Sequence, residues 1–196
     1  MKKLIPFLLV CSLVACTPAT PTPSPTPSAA NMDSEELMVY SALLQALYPD
    51  ESVVLMDQTA TGPGGISDLS SVVDSISKQI KGVDPVTMQR FTARNDKPYP
   101  LSTHMNIGIP IQFISQEDLR QIFNINQDGW QMFYERYPGT PGITTLSRVG
   151  FNDTMDQALL YLGTQSNWLA GAGYYILMLK TDGVWKIDQQ VTAWIS

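Results

Sequence analysis

Hydrophobic and polar positions alternate most regularly in the last third of the chain. From Trp185 onward, Trp185, Ile187, Gln189, Val191, Ala193 and Ile195 fall on one side, and Lys186, Asp188, Gln190, Thr192 and Trp194 on the other. A period of two is that of a β-strand, here with one largely apolar face and one polar face that ends in a tryptophan. Residues 172–180 are apolar on both sides, with Tyr174, Ile176 and Met178 opposed to Tyr175, Leu177 and Leu179. That pattern predicts a central strand covered on both faces. Between the two segments, Thr181-Asp182-Gly183-Val184 is a tight hairpin turn. Residues 157–162 resemble the central strand in pattern, and residues 143–151 supply one more strand, joined through Asn152-Asp153-Thr154-Met155.

Upstream, the apolar period changes. In residues 33–48, Leu37, Tyr40, Leu43, Leu44 and Leu47 recur at spacings of three and four, with Glu35 and Glu36 near the N-terminal end and Pro49 as the stop. Residues 52–56 form a short Val-rich strand, followed by the breaker-dense loop 58–65. That loop is glycine-rich but lacks a closing Gly-Lys-Ser/Thr, so it carries no phosphate-loop signature. Further helices are predicted over 67–81, with Ser67 as N-cap and Gly82 as stop, and from Asp84-Pro85 to just before Asn95. Two more cover 115–123, capped by Ser115, and the aromatic segment 130–137. Gly108 and Pro110 interrupt the apolar residues 107–114 and confine them to a sheet edge or an extended connection. No period of about 20 to 50 residues repeats, which excludes a solenoid or propeller. The fold class predicted is α+β, with N-terminal helices packed on a C-terminal antiparallel meander of three or more strands.

The first thirty residues do not belong to that fold. Lys2 and Lys3 precede the apolar residues 4–13, the basic start and short hydrophobic core of an export signal. About 20 apolar residues are needed to span a bilayer, and this run is too short. Leu13 breaks the small-residue rule of an ordinary cleavage site, and Leu13-Val14-Ala15-Cys16 resembles the lipobox of bacterial lipoproteins. That resemblance implies that residues 1–15 are removed and that Cys16 carries acyl chains. Five prolines among residues 17–30 favour an extended tether, reaching about 40 Å at roughly 3.1 Å per residue. The globular domain is then residues 31–196.

Charge and cysteine content narrow the function. Loss of Lys2 and Lys3 takes the formal charge from −6 to −8, a poor balance for binding nucleic acid or for adsorbing directly to anionic lipid. Cys11 and Cys16 are the two cysteines, so the processed chain has no disulfide to draw on. The link to a membrane must be the anchor.

Five blocks carry a second resemblance: Leu146-Ser147-Arg148-Val149-Gly150-Phe151-Asn152, Gln157-Ala158-Leu159-Leu160-Tyr161-Leu162-Gly163, Leu169-Ala170-Gly171-Ala172-Gly173-Tyr174-Tyr175, Gly183-Val184-Trp185-Lys186-Ile187 and Trp194-Ile195-Ser196. Over residues 146–196 they resemble a C-terminal pattern of bacterial secreted proteins with no assigned activity. Some members carry two cysteines between the second and third blocks. Gln165-Ser166-Asn167-Trp168-Leu169-Ala170 stands there instead, which implies no thiol role. The order of helices and then curved strands resembles NTF2-like or cystatin-like cones, a fold-level analogy that assigns no function.

Candidate chemistry is sparse. His104, the single histidine, is the obvious general base by its titration range, although a lone histidine beside a Pro-rich segment is more often an ordinary loop residue. One histidine without a free cysteine does not make a zinc site, and no cofactor motif is present. Glu117 with Asp118, Asp128 with Glu135, and Asp153 with Asp156 are the carboxylate pairs, each also explained as helix-end or turn chemistry. Arg148, placed with Leu146 and Gly150 on a strand face, suits a buried ion pair or a ligand carboxylate. Trp168, in a polar loop, and Trp194, on the polar face, are the aromatics expected to be partly accessible. The expected function is a lipid-anchored, extracytoplasmic binding or interaction domain of the cell envelope, with Trp168, Trp194 and Arg148 as ligand-binding candidates. The alternatives are an envelope hydrolase using His104 and a carboxylate, and an accessory subunit of an envelope complex.

Overall fold

A computed structural model describes residues 29–61, 69–101, 105, 107–123 and 129–196. Cys16, the Pro-rich segment, Ser67, His104 and Asp128 lie outside the described residues. In chain order the elements are α1 (Ala29–Leu47), β1 (Val53–Met56), α2 (Leu69–Gln79), α3 (Pro85–Arg94), β2 (Ile111–Ile114), α4 (Gln116–Phe123) and α5 (Gly129–Arg136). Five strands follow: β3 (Ile143–Leu146), β4 (Gly150–Phe151), β5 (Gln157–Asn167), β6 (Ala170–Thr181) and β7 (Val184–Ile195). The fold is α+β, with N-terminal helices preceding a C-terminal meander. The sheet is mixed, in the order β2-β1-β3-β5-β6-β7, with β4 paired to β5.

Local chemistry explains the helix ends. The Asp84 carboxylate accepts from the Val86 N–H at 2.7 Å, and Pro85 begins α3, where a missing donor costs nothing. Ser115 and Asp118 cap each other: Ser115 Oγ accepts from the Asp118 N–H at 3.0 Å, and the Asp118 carboxylate accepts from the Ser115 N–H at 3.1 Å. The hairpin between β6 and β7 has positive φ at both turn residues, 51° at Asp182 and 79° at Gly183. Two positive angles define the turn whose twist matches the flanking strands, and an Asp-Gly pair tolerates them.

β1 and β2 join the sheet in parallel, β1 lying between β2 and β3. β2 is an edge strand, as Pro110 requires: the Pro110 carbonyl accepts from Val53 N–H at 3.0 Å, while the proline itself has no N–H to donate.

Two departures from the simple strand pattern matter for function. Residues 143–151 are not one strand. Ser147 Oγ accepts from the Tyr161 N–H at 2.8 Å, and the Asn95 side chain binds both the N–H and the carbonyl of Arg148, at 2.8 and 3.0 Å. The Ser147 N–H still donates to the Tyr161 carbonyl at 3.0 Å, but side chains take the remaining ladder positions of residues 147–148, and Arg148 leaves the sheet between β3 and β4. β7, in turn, carries two register shifts against β6, one between the pairs Leu177↔Gln189 and Met178↔Ile187, the other between Gly173↔Trp194 and Tyr174↔Thr192. Each β-bulge slips the alternation by one residue and so exchanges the faces. Ile187 pairs with Met178 on one face, whereas Val191 pairs with Tyr175 on the other. Trp194, expected on a polar face, is turned by the second bulge toward buried Tyr161 and Tyr175.

The two faces of the sheet are covered differently. On one, α1 buries Val39, Tyr40, Leu43 and Leu44 against Leu55, Leu146, Leu160, Leu162, Ile176 and Met178. On the other there are two separate clusters. α4 and α5 cover Val54, Met56, Ile114 and Ile143 with Ile122, Trp130 and Phe133. α2 and α3 cover Leu159, Tyr161, Tyr175 and Leu177 with Val72, Ile76 and Phe91. The seam between these clusters crosses β3 and β5.

Candidate functional site

A groove of about 630 Å3 opens along that seam. Met56 and Ile143 come from the α4–α5 side, and Ala60, Tyr161 and Trp194 from the α2–α3 side. Gln116 and Leu119 of α4 form one wall, and Gln58, Thr59 and Pro98 form the rim. The floor is β3 and β5, where Thr145 stands directly opposite Gly163 and Ile143 opposite Gln165.

Glycine makes this floor low. Gly163 and Gly173 are cross-strand partners on β5 and β6. A Cβ on Gly163 would meet the Tyr161 hydroxyl, and one on Gly173 would meet both Trp194 Nε1 and that same hydroxyl, all within 2.6 Å. The phenol and the indole therefore lie on bare backbone. Trp194 Nε1 donates to Tyr161 Oη at 2.8 Å, which leaves the phenol its own hydrogen to donate. Burial pushes the Tyr161 pKa up, against the smaller opposing effect of the Trp194 hydrogen bond, so the group stays a neutral phenol at neutral pH. The side chains of Gln58, Gln116 and Thr145 make no hydrogen bond among the described residues. The described lining contains no Asp, Glu, Lys, Arg or Cys. What the arrangement can do chemically is bind: the Trp194 indole, apolar walls, and the neutral side chains of Gln58, Gln116 and Thr145.

Of the ligand-binding candidates, Trp194 alone lines this groove. Trp168 sits at the tip of the β5–β6 hairpin, 61% exposed, with Leu169 beside it at 86%. Its ring stands edge-on to Phe123 and Trp130, 5.4 and 6.5 Å away, on the outer flank of α4 and α5.

Arg148 is 8% exposed and is enclosed by carboxylates. Its Nε donates to both oxygens of Glu36, at 3.0 and 2.8 Å, and its Nη2 pairs with Asp33. Arg94 reaches the same two carboxylates at 3.0 Å each, and the Val149 N–H donates to Glu36 at 2.6 Å. Desolvation alone would lower the Arg148 pKa, but the hydrogen bonds and charge of Glu36, together with Asp33, outweigh it and hold the guanidinium charged. Arg148 thus takes the ion-pair role that its sequence position allowed. It also supports the groove from behind, since its guanidinium lies 3.9 Å over the Tyr99 ring. The main chain of Tyr99 is bonded to the rim residue Thr59, N–H to Oγ1 and carbonyl to N–H, both at 2.9 Å.

The described carboxylates of the three pairs have partners outside the groove, Glu135 accepting from Gln131 on α5 at 2.9 Å. Glu117 pairs with Arg120, Asp118 caps α4 and meets Arg136, and Asp153 pairs with Arg90. Asp156 accepts from Asn152 and Thr154 inside the β4–β5 turn, and these bonds hold its carboxyl below the usual range. No group of three or more His, Cys, Asp or Glu is placed to hold a metal among the described residues. None of the described helices is long and apolar enough to cross a membrane. Neither protein-family models, nor curated proteins, nor solved structures give a match to the chain.

The seam between two helix clusters has no sequence signature of its own. The nearest signal is the set of glycines in strands that are otherwise bulky, Gly163 on β5 and Gly171 and Gly173 on β6, since glycine inside a strand marks close approach of another group.

Proposed function

We propose that the protein is a lipid-anchored, extracytoplasmic binding domain whose ligand site is the groove over β3 and β5. The observation that carries this reading is the Tyr161–Trp194 pair lying on glycine at the base of a groove whose described lining carries no charged side chain. A group meant for acid–base work needs a pKa near the working pH, and Tyr161 is displaced in the wrong direction for that. The anchor rests on Leu13-Val14-Ala15-Cys16 and on the Pro-rich tether after it. More than one acyl chain on Cys16 would give stable attachment, where one chain binds marginally.

Two experiments separate the parts of this reading. Filling the groove with Thr145→Trp is expected to abolish ligand binding by the full chain while leaving its thermal transition within a few degrees of the wild type. A ligand that binds both proteins equally would remove the groove from consideration. Cys16→Ser is expected to move the protein from the membrane to the soluble fraction, and unchanged fractionation would refute the anchor.

A further inference from the structure

We propose that the groove takes a neutral oligosaccharide. This inference rests on the groove being the binding site and adds the chemical class of what occupies it.

The lining excludes other classes in turn. Phosphates, carboxylates and nucleotides are held by Arg, Lys or backbone N–H groups at helix ends; no charged side chain lines the groove among the described residues, and the α4 N-terminus beside Gln116 is already capped by Ser115 and the Asp118 carboxylate. An extended peptide would be held by strand addition, which needs a free strand edge. The strands of the floor have none: β3 lies between β1 and β5, and β5 between β3 and β6. A lipid chain would strip water from Thr145, Gln58 and Gln116 and offer them nothing in return, which costs free energy for each group left unpaired.

A sugar fits all three conditions. A pyranose ring has an apolar C–H face, which packs on an aromatic plane, and a rim of hydroxyls that both donate and accept. Trp194 supplies the aromatic surface, held on the floor by its bond to the hydroxyl of Tyr161, which is itself 2% exposed. Thr145 and the amides of Gln58 and Gln116 supply neutral groups that also donate and accept, so each sugar hydroxyl can find a partner whichever way it is turned. The groove volume of about 630 Å3 lies within the roughly 300 to 1,000 Å3 of small-ligand sites.

The full chain in mild detergent is titrated calorimetrically with three probes: a panel of neutral gluco-, manno-, galacto- and N-acetylglucosamine oligomers, an uncharged peptide, and a fatty acid. Saturable binding of at least one oligomer is expected, weakened about fivefold by Thr145→Val, which keeps the shape and removes one hydroxyl. Trp168→Ala, outside the groove, is expected to leave it unchanged. Binding of the peptide or fatty acid alone, lost in Thr145→Trp, would overturn the sugar and leave the groove as a binding site. Sugar binding that Thr145→Trp leaves intact would overturn the placement. Failure of every probe to bind would overturn the sugar and count against the binding reading as well.

Discussion

The two faces of the sheet use the same strands and end in opposite states. On the α1 face, one helix lies across the strands, and four of its large side chains, Val39, Tyr40, Leu43 and Leu44, are fully or almost fully buried. At roughly 1.5 to 3 kcal/mol for each large apolar side chain, that contact alone is of the order of a small protein's net stability. Its margin is closed by charge, with Glu36 and Asp33 of α1 meeting Arg148 and Arg94, and by the Tyr40 hydroxyl donating to the Ser147 carbonyl at 2.7 Å. The opposite face is covered by two helix pairs with separate cores, and a gap is left where they fail to meet. Cover by α1 gives stability and leaves only a recess of about 460 Å3 beside Trp185; divided cover leaves the groove of about 630 Å3. The lining of the gap differs in charge: its described side chains are all neutral, whereas the closed face holds the Arg148–Glu36–Asp33–Arg94 cluster.

The comparison can be broken at the closed face with the largest effect. Arg148→Met removes one member of the ion cluster and leaves Glu36, 4% exposed, with Arg94 and the Val149 N–H. Removing one partner of a buried pair typically costs about 3 to 5 kcal/mol, and the remaining Arg94 places this variant near 3 kcal/mol in a denaturant titration. Gly150→Ala tests the anchoring of the α2–α3 pair. A Cβ there would lie 2.4 Å from the main chain of both Thr87 and Phe91 in α3, and overpacking against backbone is expected to cost about 2 kcal/mol. A loss of less than ~0.5 kcal/mol would mean that α3 does not sit on β4 this closely.

Smaller effects sharpen the open face. Tyr161→Phe removes the acceptor of the Trp194 N–H and is expected to cost about 1 kcal/mol, with a change in Trp194 emission and no change in the α1 face. The smallest effect is that of pH. The Asp156 and Asp118 carboxyls are held below their ordinary value by hydrogen bonds, from Asn152 and Thr154 in one case and from Ser115 in the other. A depressed folded pKa means that the unfolded chain binds protons more readily. The stabilisation is therefore present above about pH 4 and lost as pH falls through the folded values. Both groups are close to the surface, so solvent keeps the loss small. A melting temperature that rose on acidification from pH 5 to 3 would contradict this assignment.

Much of the scaffold could be read from residue order, because local chemistry carries it. Asp84-Pro85 starts α3, Ser115 caps α4, Asp182-Gly183 turns the last hairpin, and Pro110 puts β2 at the edge. Each rule acts within a few residues. The faces of β7 could not be read the same way. Strict alternation places Trp185, Ile187, Val191 and Ala193 together, and two bulges, set by pairing with β6, divide them between opposite faces. Arg148 fits a strand pattern on its own, but its main chain is bonded by Asn95 and its side chain by Glu36, both distant in sequence. The groove is harder still, since it is space between clusters drawn from distant parts of the chain, with Met56 and Ile143 on one side and Trp194 on the other. Trp194 was accessible to sequence reasoning as an exposed aromatic, but not its partner Tyr161, which looks like ordinary strand core.

The most direct test uses the four tryptophans as reporters of place. Indole N–H resonances of Trp130, Trp168, Trp185 and Trp194 are followed by 15N-resolved NMR while a neutral oligosaccharide is added to the full chain. A saturable shift of Trp194, with Trp185 on the α1 face and the exposed Trp168 unmoved, is the predicted result. Calorimetric binding with Trp194 stationary, or with Trp185 moving in its place, would contradict a site on the open face of the sheet.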